Sequence, residues 1–113
     1  MTGRAIFEWL GDRAFLVWRS EAEPPFPGSL AVIGADDSDS FAMHYFDSRG
    51  LERVYRMTLR GGEWRIWRDH SGFSQRFFGT LSKDGKRIDA RWESNEDDKT
   101  WVLDFPLTYT RLP

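Results

Sequence analysis

Five side chains in the middle of the chain are of types that bind anionic groups, and they recur at alternate positions. They are Tyr45, Arg53, Tyr55, Arg68 and His70. A guanidinium group donates two parallel hydrogen bonds to a carboxylate or phosphate, and tyrosine and histidine side chains add further bonds. We therefore predict that these five residues contact a small-molecule ligand.

Regular turn signals divide the sequence into short segments that alternate apolar and polar residues with a period of two, which is typical of strands. The strands are expected near 3–10, 13–20, 29–35, 40–46, 51–60, 63–70, 75–82, 86–94 and 100–110. At 113 residues, the chain suits one domain over 1–113. We predict an all-β fold, an antiparallel up-and-down β-barrel of about nine strands.

Turn chemistry predicts how these strands pair. Gly61-Gly62 suits a two-residue type I′ turn, whereas Asp47-Ser48-Arg49-Gly50 suits a type I turn closed by a left-handed glycine. The Gly11-Asp12 and Asp84-Gly85 turns join two further hairpins. The expected pairs are Met57 with Ile66, Tyr45 with Arg53, Phe7 with Leu16 and Trp9 with Ala14, with Phe77, Gly79 and Leu81 beside Ile88, Ala90 and Trp92.

The aromatic residues, 16% of the chain, divide between the two faces of these strands. The expected inner lining contains Trp9, Trp18, Trp64, Trp92, Trp101, Phe7, Phe41, Phe77 and Phe105, and the expected outer set is Phe15, Phe46, Trp67 and Phe78. No carboxylate is expected on the inner face of the central strands. Arg53 and Arg68 therefore either bind an anionic ligand or lie solvated at the mouth of the barrel, and both interpretations stay open.

Catalysis has little support in the sequence. The chain has no cysteine, and no serine lies in a nucleophile elbow. His44 is expected to point outward, so it does not converge with His70 on a metal. We assign no catalytic or metal residues. A cofactor-free isomerase or hydrolase that uses His70 in the same pocket is one alternative, and a structural or interaction module with a filled core is another.

Charge and hydropathy exclude several classes of partner. The chain has 16 basic and 18 acidic residues, which disfavours nucleic acid as its main partner. No apolar run approaches the roughly 20 residues of a membrane span, and no signal-peptide pattern opens the sequence. We expect a cytoplasmic protein with neither a nucleic-acid nor a membrane partner.

Several segments resemble the lipocalin-like calycin superfamily, which includes the fatty-acid-binding proteins, and most of all a bacterial branch of it. The segments are Phe7-Glu8-Trp9-Leu10, Met43-His44-Tyr45-Phe46-Asp47-Ser48-Arg49-Gly50, Gly72-Phe73-Ser74-Gln75-Arg76-Phe77, Arg91-Trp92-Glu93-Ser94 and Leu107-Thr108-Tyr109-Thr110-Arg111. The resemblance implies a barrel that binds a small apolar or amphipathic molecule, anionic in some cases. Fatty-acid-binding barrels hold the ligand carboxylate with an Arg-x-Tyr pair, and Arg53-Val54-Tyr55 has that order.

The chain also departs from the calycin pattern. It lacks the usual opening Gly-x-Trp strand, and His70 is its last histidine, whereas the haem-binding branch has a histidine late in the chain. We therefore expect no cofactor, haem included. The first and ninth strands of a nine-stranded antiparallel barrel run in the same direction. Either one strand is irregular, or the two pair in parallel, or the barrel is incompletely closed and a second copy covers the gap, as in the homodimer that we predict.

Overall fold

The computed structural model describes residues 3–37 and 39–113, and this part of the chain contains nine strands. They are β1 (Gly3–Leu10), β2 (Phe15–Ala22), β3 (Ser29–Ala35), β4 (Phe41–Asp47), β5 (Glu52–Arg60), β6 (Glu63–Arg68), β7 (Ser74–Leu81), β8 (Arg87–Asn95) and β9 (Val102–Thr110). The sheet follows chain order. The all-β, antiparallel, nine-stranded prediction is confirmed. In the described residues, no helix is long and apolar enough to cross a membrane.

The chain divides into two compact units, one ending at Tyr55 and the other beginning at Arg56. Strands β1 to β4 pair antiparallel in sequence within the first unit. Within the second unit, the end of β5 pairs with β6, and β6 to β9 continue in the same manner. Each unit therefore consists of consecutive hairpins.

In the first unit, the apolar face of β2, β3 and β4 is buried. The residues at its centre are Trp18, Ala31, Ile33 and Met43. Along β3 and β4 they alternate with more exposed residues, as the period of two predicts, whereas on β2 Val17 is as buried as its neighbour Trp18.

The hairpin between β1 and β2 has a different register from the predicted one. Phe7 pairs with Trp18 and Trp9 pairs with Leu16, so the expected pairs of Phe7 with Leu16 and Trp9 with Ala14 are wrong. The connection is four residues long because both Gly11 and Arg13 adopt positive φ angles, and Ala14 lies in the loop. A shift of two residues keeps every side chain on its predicted face.

The second unit has an aromatic core centred on Phe77. Phe77 and Ile66 are both 0% exposed. The Phe77 ring lies 4.8 Å from the Trp64 ring and 5.2 Å from the Trp92 ring, between centroids. The predicted pairs of Met57 with Ile66 and of Phe77 with Trp92 are confirmed.

The predicted inner lining is wrong at the start of β9 because of a β-bulge. Trp92 pairs with Phe105, but the next residue, Glu93, pairs with Leu103. The extra residue reverses the side-chain alternation that precedes it. Trp101 was predicted to face inward, yet its ring lies 4.0 Å from the Arg76 guanidinium on the outer face.

Candidate functional site

A continuous row of side chains crosses the inner face of the first unit and leads to a predicted site residue. Phe7 pairs with Trp18, Trp18 with Ala31, and Ala31 with Tyr45. The Phe7 and Trp18 rings are stacked at 5.4 Å between centroids. At the other end of the row, the Tyr45 ring meets the edge of the Tyr55 ring at 6.0 Å. The structure thus brings these two predicted site residues together.

The hairpin that carries the site has the predicted loop. Gly50 donates its N–H to the Asp47 carbonyl at 2.9 Å and has a φ of 81°, while Asp47 donates to the Leu51 carbonyl at 3.0 Å. This is the three-residue connection that favours pairing of Tyr45 with Arg53. Arg53 itself is half-buried on β5.

Asp47 is the residue that the sequence analysis missed. Its side chain is 0% exposed, so the expectation that no carboxylate lies on the inner face is wrong. Asp47 Oδ2 accepts hydrogen bonds from the Tyr45 hydroxyl at 3.0 Å and from Arg49 Nη2 at 2.6 Å. Asp47 Oδ1 accepts the Arg49 N–H at 3.0 Å. Alternation from Tyr45 places Asp47 on the inner face, but the sequence analysis used Asp47 only as the first residue of the turn.

The side chains of Asp47, Tyr45 and Arg49 form a cluster, and each has a definite protonation state at neutral pH. The side-chain hydrogen bond from Arg49 is the largest cause that lowers the pKa of Asp47, which stands at about 2. Burial, and then the bond to Asp47, raise the pKa of Tyr45 to about 12. At neutral pH the cluster therefore contains an ionised carboxylate, a neutral phenol and a guanidinium cation.

The raised pKa of Tyr45 predicts a stability change at high pH. The neutral phenol contributes stability fully below the ordinary pKa of 10.0, and this contribution is lost as the pH rises towards about 12. In Tyr45→Phe, we expect a shallower fall in the free energy of unfolding between these pH values, measured by urea denaturation. Tyr109, whose pKa burial also raises, keeps part of the fall in that variant. An unchanged slope would contradict the assignment.

The other two predicted site residues belong to the second unit. Arg68 is half-buried and donates to the Phe73 carbonyl at 3.3 Å. His70 is exposed, and its backbone N–H donates to Ser74 Oγ at 3.1 Å. Their participation in a ligand site stays a prediction.

Several residues of the predicted inner lining are more exposed than a lining requires. Phe7 is 41% exposed and Trp9 is 57% exposed, although both alternate with outward-facing residues as predicted. Phe41 and Phe105, also predicted for the lining, are exposed as well. Phe7 and Trp9 lie two residues apart on β1, and large exposed apolar residues that are neighbours in this way are typical of a binding site.

A shallow groove, which was not predicted, lies in the first unit where β2 and β4 end and β3 begins. Its volume is about 350 Å³, and its lining includes Arg19, Leu30 and Phe46. These three residues are cross-strand neighbours on β2, β3 and β4. Phe46, predicted to face outward, is therefore one wall of a surface depression.

Within the described residues, no three histidine, aspartate or glutamate side chains are grouped as ligands for a metal ion. Comparison with protein-family models, with curated proteins and with solved structures gives no match. The class that the fold defines is an antiparallel all-β protein with consecutive strand order.

Proposed function

We propose that the protein binds a small apolar or amphipathic molecule that carries an anionic group. The observation that carries this proposal is the accessible aromatic surface of Phe7 and Trp9 beside the buried first-unit core. An apolar ligand would cover these rings and remove their surface from water. Each square ångström so covered contributes roughly 25 cal/mol of favourable free energy.

The polar end of the same row supports an orientation for the ligand. Tyr45 lies across the sheet from Phe7, two strands beyond Trp18. In the proposal the apolar part contacts Phe7 and Trp9, while Arg53 and Tyr55 contact the anionic group and the Tyr45 ring, whose hydroxyl donates to Asp47, packs beside it. Arg68 and His70 remain ligand contacts predicted from the sequence alone.

Binding fits the cluster better than acid–base catalysis does. A general acid or base works best when its pKa lies near the working pH. The pKa of Asp47 is about 2 and that of Tyr45 is about 12, so neither group exchanges its proton readily at neutral pH. An ionised Asp47 that accepts the Tyr45 hydroxyl holds the Tyr45 ring in place beside the ligand without reacting with it.

The calycin-like barrel, the homodimer and the cytoplasmic location belong to the same proposal. A barrel of this type would enclose the ligand between its strands, and the proposed binding requires no cofactor. A second copy would cover the exposed strand surfaces if closure is incomplete.

Two naphthalene probes test the proposed orientation. We expect both anionic anilinonaphthalene sulfonate and neutral N-phenylnaphthylamine to bind with a fluorescence increase. Arg53→Gln should weaken binding of the anionic probe about tenfold and leave binding of the neutral probe unchanged, because only the anionic probe has a negative charge that the Arg53 guanidinium can bind. Arg19→Gln, on the outer face of β2, is the matched control and should affect neither probe.

Equal effects of Arg53→Gln and Arg19→Gln would overturn the site, as would failure of both probes to bind the wild-type protein. Native mass spectrometry of the purified protein complements this titration. It is expected to show a retained small molecule and a dimer mass. A monomer at high protein concentration would contradict the homodimer.

A further inference from the structure

The outer face of the second unit has three arginines around one aromatic ring. The guanidinium carbons of Arg91, Arg65 and Arg76 lie 4.3, 4.7 and 5.3 Å from the centroid of the Phe78 ring. The arrangement follows from the register, since Phe78 pairs with Arg65 on one side and with Arg91 on the other. Each arginine thus stacks on a ring that the sheet holds in place.

One carboxylate fixes two of these arginines further. Glu93 Oε1 accepts Arg76 Nε at 2.6 Å, and Glu93 Oε2 accepts Arg91 Nε at 3.0 Å. These bonds lower the pKa of Glu93, so the carboxylate is ionised at neutral pH. Trp101 stacks on Arg76 from a position beyond the bulge. The guanidinium groups are therefore oriented before any ligand arrives.

Both bonds to Glu93 use the Nε–H, which leaves the terminal N–H groups of Arg76 and Arg91 for another acceptor. The side chains of Arg76 and Arg91 are 36% and 50% exposed, so a ligand can reach them. Arg65 has an acidic neighbour at the rim, where its Nη2 lies 3.6 Å from Glu63 Oε2.

The charges around the Phe78 ring do not balance. Three arginines, Arg65, Arg76 and Arg91, have two carboxylates as ion-pair partners, Glu63 and Glu93, in a protein whose formal net charge is −2. The local excess of one positive charge favours an anion, and a phosphate monoester, which has a charge of about −1.5 to −2 at neutral pH, is attracted more strongly than a monoanion.

We propose that this arginine–phenylalanine cluster on the outer face of β6, β7 and β8 binds a phosphate group. The terminal N–H groups of Arg76 and Arg91 donate to the phosphate oxygens, because a guanidinium fork matches their spacing. Trp67 and Trp101 flank Arg76 and offer ring surface to any organic part of the ligand. The cluster is separate from the inner-face site, so either proposal can fail without the other.

Titration by NMR at constant ionic strength tests the proposal with inorganic phosphate, phenyl phosphate and benzoate. We expect saturable shifts of the Arg76 and Arg91 Nε–H signals and of the Trp101 indole N–H. Either phosphate probe should bind about tenfold more tightly than benzoate, since the phosphate has the larger negative charge and more oxygens for the terminal N–H groups of Arg76 and Arg91. Tighter binding of phenyl phosphate would identify a phosphate ester as the source, and tighter binding of inorganic phosphate would identify the free ion. Both outcomes support the site.

The strand itself provides a matched control. Arg91 and Glu93 are two residues apart on β8, and so are Arg87 and Asp89, which form an ion pair at 2.9 Å. Arg87 is four residues from Arg91 along the same strand. We expect Arg91→Gln to weaken phosphate binding about tenfold and Arg87→Gln to leave it unchanged.

Arg91→Lys keeps the positive charge but loses the two parallel N–H donors of the guanidinium. We therefore expect it to bind phosphate with an affinity between those of wild type and Arg91→Gln. Near-ultraviolet circular dichroism confirms that each variant is folded. Equal weakening by Arg91→Gln and Arg87→Gln would overturn the proposal, because net charge alone would then explain the binding. Shifts that do not saturate, or benzoate binding as tight as that of phenyl phosphate, would also overturn it.

Discussion

Replacing Phe77 with alanine lowers the free energy of unfolding by about 3–5 kcal/mol, the range for a fully buried phenylalanine. Phe77 is 0% exposed and contacts the rings of Trp64 and Trp92. Removal of its ring leaves a cavity between two large aromatic groups that the strands hold apart. Urea denaturation followed by tryptophan fluorescence measures the loss.

Two further variants keep this prediction testable if Phe77→Ala does not fold. Phe77→Leu retains most of the volume, and we expect it to cost about 1–2 kcal/mol. Phe46→Ala removes the same ring from an exposed position and should cost less than about 1.5 kcal/mol. Equal losses for Phe77→Ala and Phe46→Ala would contradict the assignment of Phe77 as the centre of this core.

The second-unit core was predictable because a short turn determines its register. Gly61 and Gly62 both have positive φ angles, as a type I′ turn requires, and few other residues adopt this conformation readily. From that turn, alternation places Trp64 and Ile66 on one face. Both are buried as predicted.

The register of the β1–β2 hairpin and the face of Trp101 were predicted wrongly because the backbone is irregular at each place. Arg13 has a φ of 60°, and its residue type does not predict that conformation. The bulge opposite Glu93 similarly has no clear marker in the sequence, so Trp101 was placed on the wrong face. Neither irregularity therefore follows from residue type and alternation alone.

The candidate site was predicted in part for a related reason. Tyr45 and Tyr55 were identified by strand alternation, and they are in contact. Asp47 was missed because aspartate at the first position of a turn is usually solvated, with its side chain bound to the backbone. Here it does bind the Arg49 N–H, and it also accepts the Tyr45 hydroxyl from the strand. One carboxylate serves both the turn and the inner face.

Because of this double role, Asp47→Ala is expected to cost about 2–3 kcal/mol, since it leaves the half-buried Tyr45 hydroxyl without its acceptor and removes the turn bond. Asp84 is the matched control. It accepts the Lys86 N–H and the Ser82 hydroxyl in another hairpin loop, but it is exposed and binds no tyrosine. Asp84→Ala should cost clearly less. Equal costs in chemical denaturation would show that Asp47 acts only in its turn.

Asp47→Asn separates charge from shape, because asparagine keeps the oxygen that accepts the Arg49 N–H. The pKa of Asp47 is lowered from 3.8 to about 2, so the ionised carboxylate contributes stability above the ordinary value and loses it as the pH falls towards about 2. Arg49 is 60% exposed, and solvent screening limits this contribution to about 1 kcal/mol. Asp47→Asn should therefore lose less stability than wild type between those pH values. Glu93 and Asp97, whose pKa values are also lowered, keep the remaining acid sensitivity in both proteins. An unchanged acid response in Asp47→Asn would mean that Arg49 does not lower the pKa of Asp47. The assignment of Asp47 as an ionised acceptor that holds the Tyr45 hydroxyl in place would then be wrong.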